Sequence, residues 1–325
     1  MTAYLLQSLF QVLGLQILLP LLLLFWLFLS AHQNRLVWAL KSLIVFSLLV
    51  AIDTYTVWLI VPWYIADIYL VTAVLISAYS GWRLRHAPWM PLRQKRRTLF
   101  YIGGLSTASF VSLVLVGYLL SGWIPQSGPS INLKFPLHQG TYYAVNAGSN
   151  LSLNPHLKTL ATKARFVPWR GQSYGIDLVK INQDGLRASG ILPPDPSDYA
   201  IYGDKVSAPC SGKVVHASDG RPDMTVPLTD PDHSKLAGNH VLLNCQGTEV
   251  LLAHLQQGSV AVNTGDQVQT GDYLGRVGNS GNSTEPHLHI SAQRKTPGQP
   301  MIGGEPVAIL FDDNYLVRNE RIARN

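Results

Sequence analysis

The chain has 325 residues, 25 Lys or Arg against 19 Asp or Glu, and a 47% share of hydrophobic side chains; this length accommodates two domains. Up to residue 126 there are eight basic residues (Arg35, Lys41 and six between residues 83 and 97) against two acids, Asp53 and Asp67, while the remainder holds 17 of each sign. The positive balance therefore belongs to the first part alone, where it reports on membrane topology and gives no support to nucleic-acid binding.

An apolar run without a charge covers about residues 9–29, long enough for the roughly 20 residues that cross a bilayer. It is too long for a signal peptide and lacks a basic start and a small-residue cleavage site, so a retained helix is expected. Further apolar stretches at about 43–61, 64–82 and 100–123 predict three more spans, with Pro62 near an open boundary between the second and third. Tyr55, Trp58, Trp63 and Tyr64 suit an interfacial belt. Asp53 and Asp67 read as solvated at that interface rather than as an ion pathway, because no partner charge sits in the other spans. Six basic residues (Arg83, Arg85, Arg93, Lys95, Arg96 and Arg97) put the loop between the third and fourth spans in the cytoplasm and both termini outside. Residues 1–125 are thus expected to be a multi-pass transmembrane helical anchor.

After the turn-rich stretch 124–129, short alternating apolar runs between Gly, Pro, Asn and Asp predict an all-β extracytoplasmic domain over 126–325. Strands are expected at 140–145, 174–179, 212–217, 239–244, 248–254, 273–277 and 287–293, and long loops at 184–197 and 219–237. Cys210 and Cys245, the only cysteines, lie in strand-like segments. Outside the cell they can form a disulfide; two small buried thiols are the equal alternative.

The stretch Glu285-Pro286-His287-Leu288-His289 carries the main chemical signal. Alternate strand residues share a face, so His287 and His289 point into one space while Leu288 and Ile290 point into a core. Two imidazoles on one face suggest a metal, although such a pair alone serves equally well as ordinary polar surface. Upstream stand Ser207-Ala208-Pro209-Cys210-Ser211-Gly212, then Gly238-Asn239-His240-Val241, then Leu251-Leu252-Ala253-His254-Leu255, then a glycine series from Gly265 to Gly281.

This ordered set, over about residues 172–310, resembles the lysostaphin/LytM-type zinc endopeptidases. The resemblance implies a duplicated hybrid β fold, a Zn2+ cofactor and hydrolysis of peptide cross-bridges of bacterial peptidoglycan by a zinc-bound water. It also implies that Asp177, in Tyr174-Gly175-Ile176-Asp177, and His289 are metal ligands, and that His254 and His287 are the catalytic pair that handles protons and hydrogen-bonds the developing oxyanion.

One position departs from the family pattern: Ser173 stands where the first metal ligand belongs. Two protein ligands are too few for a catalytic zinc. His156, behind a Gly, Ser and Asn-rich loop and stiffened by Pro155, is the nearest histidine before Asp177 and the expected third ligand, with His240 next. His138, His216, His233 and His240 otherwise read as surface or strand histidines. Biotinyl and lipoyl carriers have a similar glycine series but need a lysine at the hairpin tip, and residues 274–283 contain none. The alternative from another class is a catalytically silent module that binds peptidoglycan or activates a partner hydrolase.

Overall fold

In the computed structural model, which describes residues 10–29, 34–90, 96–232 and 234–324, the chain divides into two compact units, Thr2–Ser121 and Gly122–Asn325. The first holds four helices long and apolar enough to cross a membrane: α1 (Phe10–Leu29), α2 (Arg35–Tyr55), α3 (Tyr64–Arg83) and α4 (Arg96–Ser121). Arg93 and Lys95 of the basic cluster lie outside the described residues.

The second helix begins well before the apolar stretch that predicts it. Asn34 caps it by accepting the Val37 N–H at 3.0 Å, which satisfies one of the free donors of a helix start. Its first turns tolerate charge because Arg35 donates to the Leu84 carbonyl and the Lys41 ammonium lies 5.1 Å from the Trp26 ring and 5.8 Å from that of Tyr101. It stops at Tyr55, ahead of the expected end, where Thr56 turns to extended geometry and its N–H closes the last turn on the Ile52 carbonyl. Asp67 falls in the first turn of α3, where the helix dipole favours an anion. Within this unit, hydroxyl pairs join neighbouring helices: Ser42 with Ser77 and Ser47 with Ser112, each at 3.1 Å. Between helices in lipid such contacts and close packing replace the hydrophobic effect.

The second unit is a β structure. Its strands are β1 (Ser130–Leu133), β2 (Gly140–Asn146), β3 (Ile176–Ile181), β4 (Lys205–Ser207), β5 (Gly212–Ser218), β6 (Asn239–Cys245), β7 (Thr248–Leu255), β8 (Gln267–Val268), β9 (Tyr273–Arg276), β10 (Leu288–Arg294), β11 (Glu305–Phe311), β12 (Asn314–Tyr315) and β13 (Arg321–Arg324). The main sheet runs β13-β2-β3-β10-β7-β6-β5-β8; β11 joins β10, β1 and β12, and β4 pairs with β9. The β1–β11 pair is parallel; the neighbours along the main path are antiparallel.

Strand alternation separates the two faces of this sheet. Ile176 and Leu178 on β3, Leu252 on β7 and Leu288 and Ile290 on β10 enter one apolar core with Val241 and Leu243. Asp177, His289 and Ala253 are directly opposite one another across β3, β10 and β7 and so share the other face. The strand expected from residue 174 starts at Ile176 because Ser173 and Gly175 still close turns, donating to the Arg170 and Gln172 carbonyls. Cys210 and Cys245 form a disulfide.

Candidate metal and catalytic site

Asp177 and His289 meet by register. The His289 Nδ1 lies 2.8 Å from the Asp177 Oδ1, both side chains almost fully buried. His156 arrives from outside the sheet. Asn154 caps the short 3₁₀ helix Pro155–Leu160 by accepting the His156 N–H and, through its own amide, donates to the carbonyls of Gly148 and Gly175. Pro155 sits at the first helical position, where its missing N–H is harmless. The His156 Nε2 then lies 3.0 Å from the Asp177 Oδ2. One ligand atom from each of His156, Asp177 and His289 falls within 4.8 Å of the others.

Two side chains frame the same carboxylate. A bulge in β2 between Ala144 and Asn146 sets Asn146 opposite Asp177, and its amide donates to the Oδ2 at 2.7 Å. His287, just before β10, has its Nε2 3.7 Å from the Asp177 Oδ1. Burial opposes the charge of Asp177, but the fields of His156 and His287 and the hydrogen bonds from His156 and His289 outweigh it and hold the carboxyl well below its usual range.

His254 reaches the site by a local distortion. Its neighbour Ala253 already faces His289, so regular alternation would send His254 into the core. Its φ of 63° breaks the alternation, and its ring lies 4.7 Å from that of His287 and 5.9 Å from that of His289. The Nδ1 lies 2.9 Å from the Ser280 carbonyl oxygen; a carbonyl only accepts, so this nitrogen carries the proton and Nε2 keeps its lone pair. His287 is oriented likewise, its Nδ1 2.8 Å from the Glu285 carbonyl. Burial, reinforced by His287 and His289, pushes the His254 pKa well down, and burial lowers that of His289; both imidazoles are neutral. The His289 Nε2 is buried without a hydrogen-bond partner among the described residues.

These groups line a groove of about 600 Å³. One wall is a second 3₁₀ helix, Ala164–Gln172, which presents Phe166 and Trp169. No sequence pattern announces it, and Asn146 and Ser280 carry no motif of their own.

The other expected positions fall elsewhere. Ser173 is fully buried and hydrogen-bonds Thr159 and the Arg170 carbonyl. The His240 Nε2 meets His216 at 3.1 Å and its Nδ1 the Gly238 carbonyl at 2.8 Å, so both of its nitrogens are engaged away from the Asp177 cluster. His138 pairs with Ser207, and His233 lies outside the described residues.

Residues 197–301 match Peptidase family M23, so the second unit contains a Peptidase M23 domain; the matched stretch includes His254, His287 and His289 and begins after His156 and Asp177. Similar solved structures include a zinc-containing peptidase from Vibrio cholerae (20% identity, 36% of this chain and 26% of that one, TM-score 0.23). Others are the catalytic domain of the antimicrobial peptidase lysostaphin from Staphylococcus simulans (25%, 38% and 68%, TM-score 0.25) and Csd3 from Helicobacter pylori (15%, 60% and 36%, TM-score 0.29). The chain spans about a quarter of the length of the first of these. No curated protein matches the chain.

Proposed function

We propose that this protein is a membrane-anchored zinc metalloendopeptidase that hydrolyses peptide cross-bridges of bacterial peptidoglycan at the outer face of the cytoplasmic membrane. Residues 1–125 are the anchor and residues 126–325 the extracytoplasmic domain. His156, Asp177 and His289 are the metal ligands, and His254 and His287 the catalytic pair.

The observation that carries this reading is the convergence of His156, Asp177 and His289 beside two imidazoles whose Nδ1 atoms are tied to carbonyls. Two imidazoles and one carboxylate are the donor set of a three-ligand catalytic zinc, and a buried carboxylate beside the imidazoles of His156 and His289 suits a divalent cation. Such an ion, when bound, supplies a Lewis acid and a water of lowered pKa. The protein's own share is proton handling and orientation. The Nε2 lone pairs of His254 and His287 accept or return protons at the reacting peptide, and in protonated form donate to the developing oxyanion. Asn146 holds the Asp177 carboxylate, and Phe166 and Trp169 give the groove an apolar wall for an extended peptide.

The second reading, a silent peptidoglycan-binding or hydrolase-activating module, rests on Ser173 at the usual ligand position. Detergent-solubilised full-length protein, incubated with cross-linked peptidoglycan, separates the two: the enzyme releases new peptide amino termini and His287→Ala does not, whereas a binding module retains the material uncut in both forms.

A further inference from the structure

Ser173 occupies the place of the expected first metal ligand and is 0% exposed, and its hydroxyl is hydrogen-bonded to Thr159 and the Arg170 carbonyl instead of to a proposed ligand side chain. Its hydroxyl lies 2.7 Å from the Thr159 Oγ1 and 2.6 Å from the Arg170 carbonyl oxygen. Thr159, 3% exposed, lies 2.8 Å from the carbonyl oxygen of His156 itself. Two hydroxyl protons thus serve three short contacts, and the contacts connect two segments: the 3₁₀ turn that carries His156, and the turn that enters β3 four residues before Asp177. Asn154 bridges the same two segments through Gly175 and the His156 N–H, and the Arg170 guanidinium adds a bond to the Leu160 carbonyl.

The geometry points to Ser173 and Thr159 as a positioning pair for the metal site: the serine that replaces a ligand anchors, through Thr159, the segment that delivers His156 in its stead. This rests on the reading of His156 as a ligand. His156 comes from a short, two-turn 3₁₀ helix, outside any sheet ladder, so its imidazole is only as well placed as the contacts that dock that helix. A buried hydroxyl pair is suited to this role because removing the Thr159 hydroxyl takes away both the donor on the His156 carbonyl and the contact with Ser173, and removing that of Ser173 takes away the link from Thr159 to the Arg170 turn, in a site closed to water. Hydrogen bonds behind a ligand typically govern metal affinity by about 10- to 100-fold.

The test measures zinc affinity on the full-length protein in detergent by competition with a chromophoric chelator, together with thermal unfolding of the metal-stripped form. Thr159→Val, which keeps the shape and removes the hydroxyl, should weaken zinc binding by about tenfold or more, as should Ser173→Ala. Thr159→Ser, which keeps the hydroxyl, should restore wild-type affinity. A purely structural role would lower the unfolding temperature of the metal-free protein and leave the affinity unchanged, which would overturn the inference. Wild-type affinity in Thr159→Val while His156→Ala loses zinc would also overturn it and leave the parent reading standing. Undiminished zinc binding in His156→Ala would overturn both.

Discussion

A histidine held in the left-handed region costs about 1–3 kcal/mol, and His254 keeps that conformation inside a strand that is otherwise regular. The Ser280 carbonyl on its Nδ1 and the stacking of elements around it hold the ring where it faces His287. The two histidines of the His-x-His pair differ in their contacts: His289 lies against the Asp177 carboxylate at hydrogen-bond distance, and His287 stands off at 3.7 Å. His287→Ala should therefore lower turnover by about 10²- to 10⁴-fold while zinc is retained, and His289→Ala should lose zinc and turnover together. Metal content and cross-bridge cleavage measured on the same preparations check this; release of the metal by His287→Ala and retention by His289→Ala would reverse the assignment. The Ser280 carbonyl depends in turn on a close backbone crossing. Gly238 has a φ of 60°, and a Cβ there would lie 2.5 Å from the Ser280 carbonyl carbon and oxygen. Gly238→Ala should cost about 2 kcal/mol or more and reduce turnover through His254, read out by chemical denaturation and by kcat.

Among the elements, those that carry the proposed chemistry were the most legible in the sequence. Asp177 and His289 lie on strands whose apolar alternation is plain, His254 follows the continuous apolar run Val250-Leu251-Leu252-Ala253, and the segments 140–145, 212–217, 239–244 and 248–254 all correspond to observed strands. The less legible parts have physical reasons. The 3₁₀ helices Pro155–Leu160 and Ala164–Gln172 are too short and irregular to leave a periodic signature, so the groove wall built from Phe166 and Trp169 could not be anticipated. β11 contains Pro306 and pairs in parallel with β1 from far along the chain; such pairing leaves no local signal. His156 could be selected only as the nearest histidine before Asp177, because what brings it there is the Asn154 cap and the docking of its turn. For the cysteines, sequence left a disulfide and two free thiols equally open, and the distance between the strands decides for the disulfide, with Cα atoms 5.9 Å apart. It ties the start of β5 to the end of β6 across 35 residues. Replacing both cysteines by serine should lower the stability of the β unit by about 2–4 kcal/mol, measured by denaturant unfolding with the wild-type protein in its oxidised form.

At the scale of the whole molecule, the described residues include four helices long and apolar enough to cross a membrane, and four crossings would return the chain to the side on which it began. On the proposed topology the loop that carries Arg83, Arg85, Arg96 and Arg97 is cytoplasmic and the β unit lies outside, where a disulfide persists and the proposed substrate is found. Reporter fusions should read outside at the C-terminus and inside at Gln94; a cytoplasmic C-terminus would remove the proposed substrate from reach. The central claim is that an imidazole from a loop-borne turn has taken over a ligand position now filled by Ser173. The zinc content of purified full-length protein, compared between wild type and His156→Ala, tests it most directly. One zinc per chain in the wild type and little or none in His156→Ala is the predicted result; equal zinc in the two, or none in the wild type after zinc loading, would contradict it.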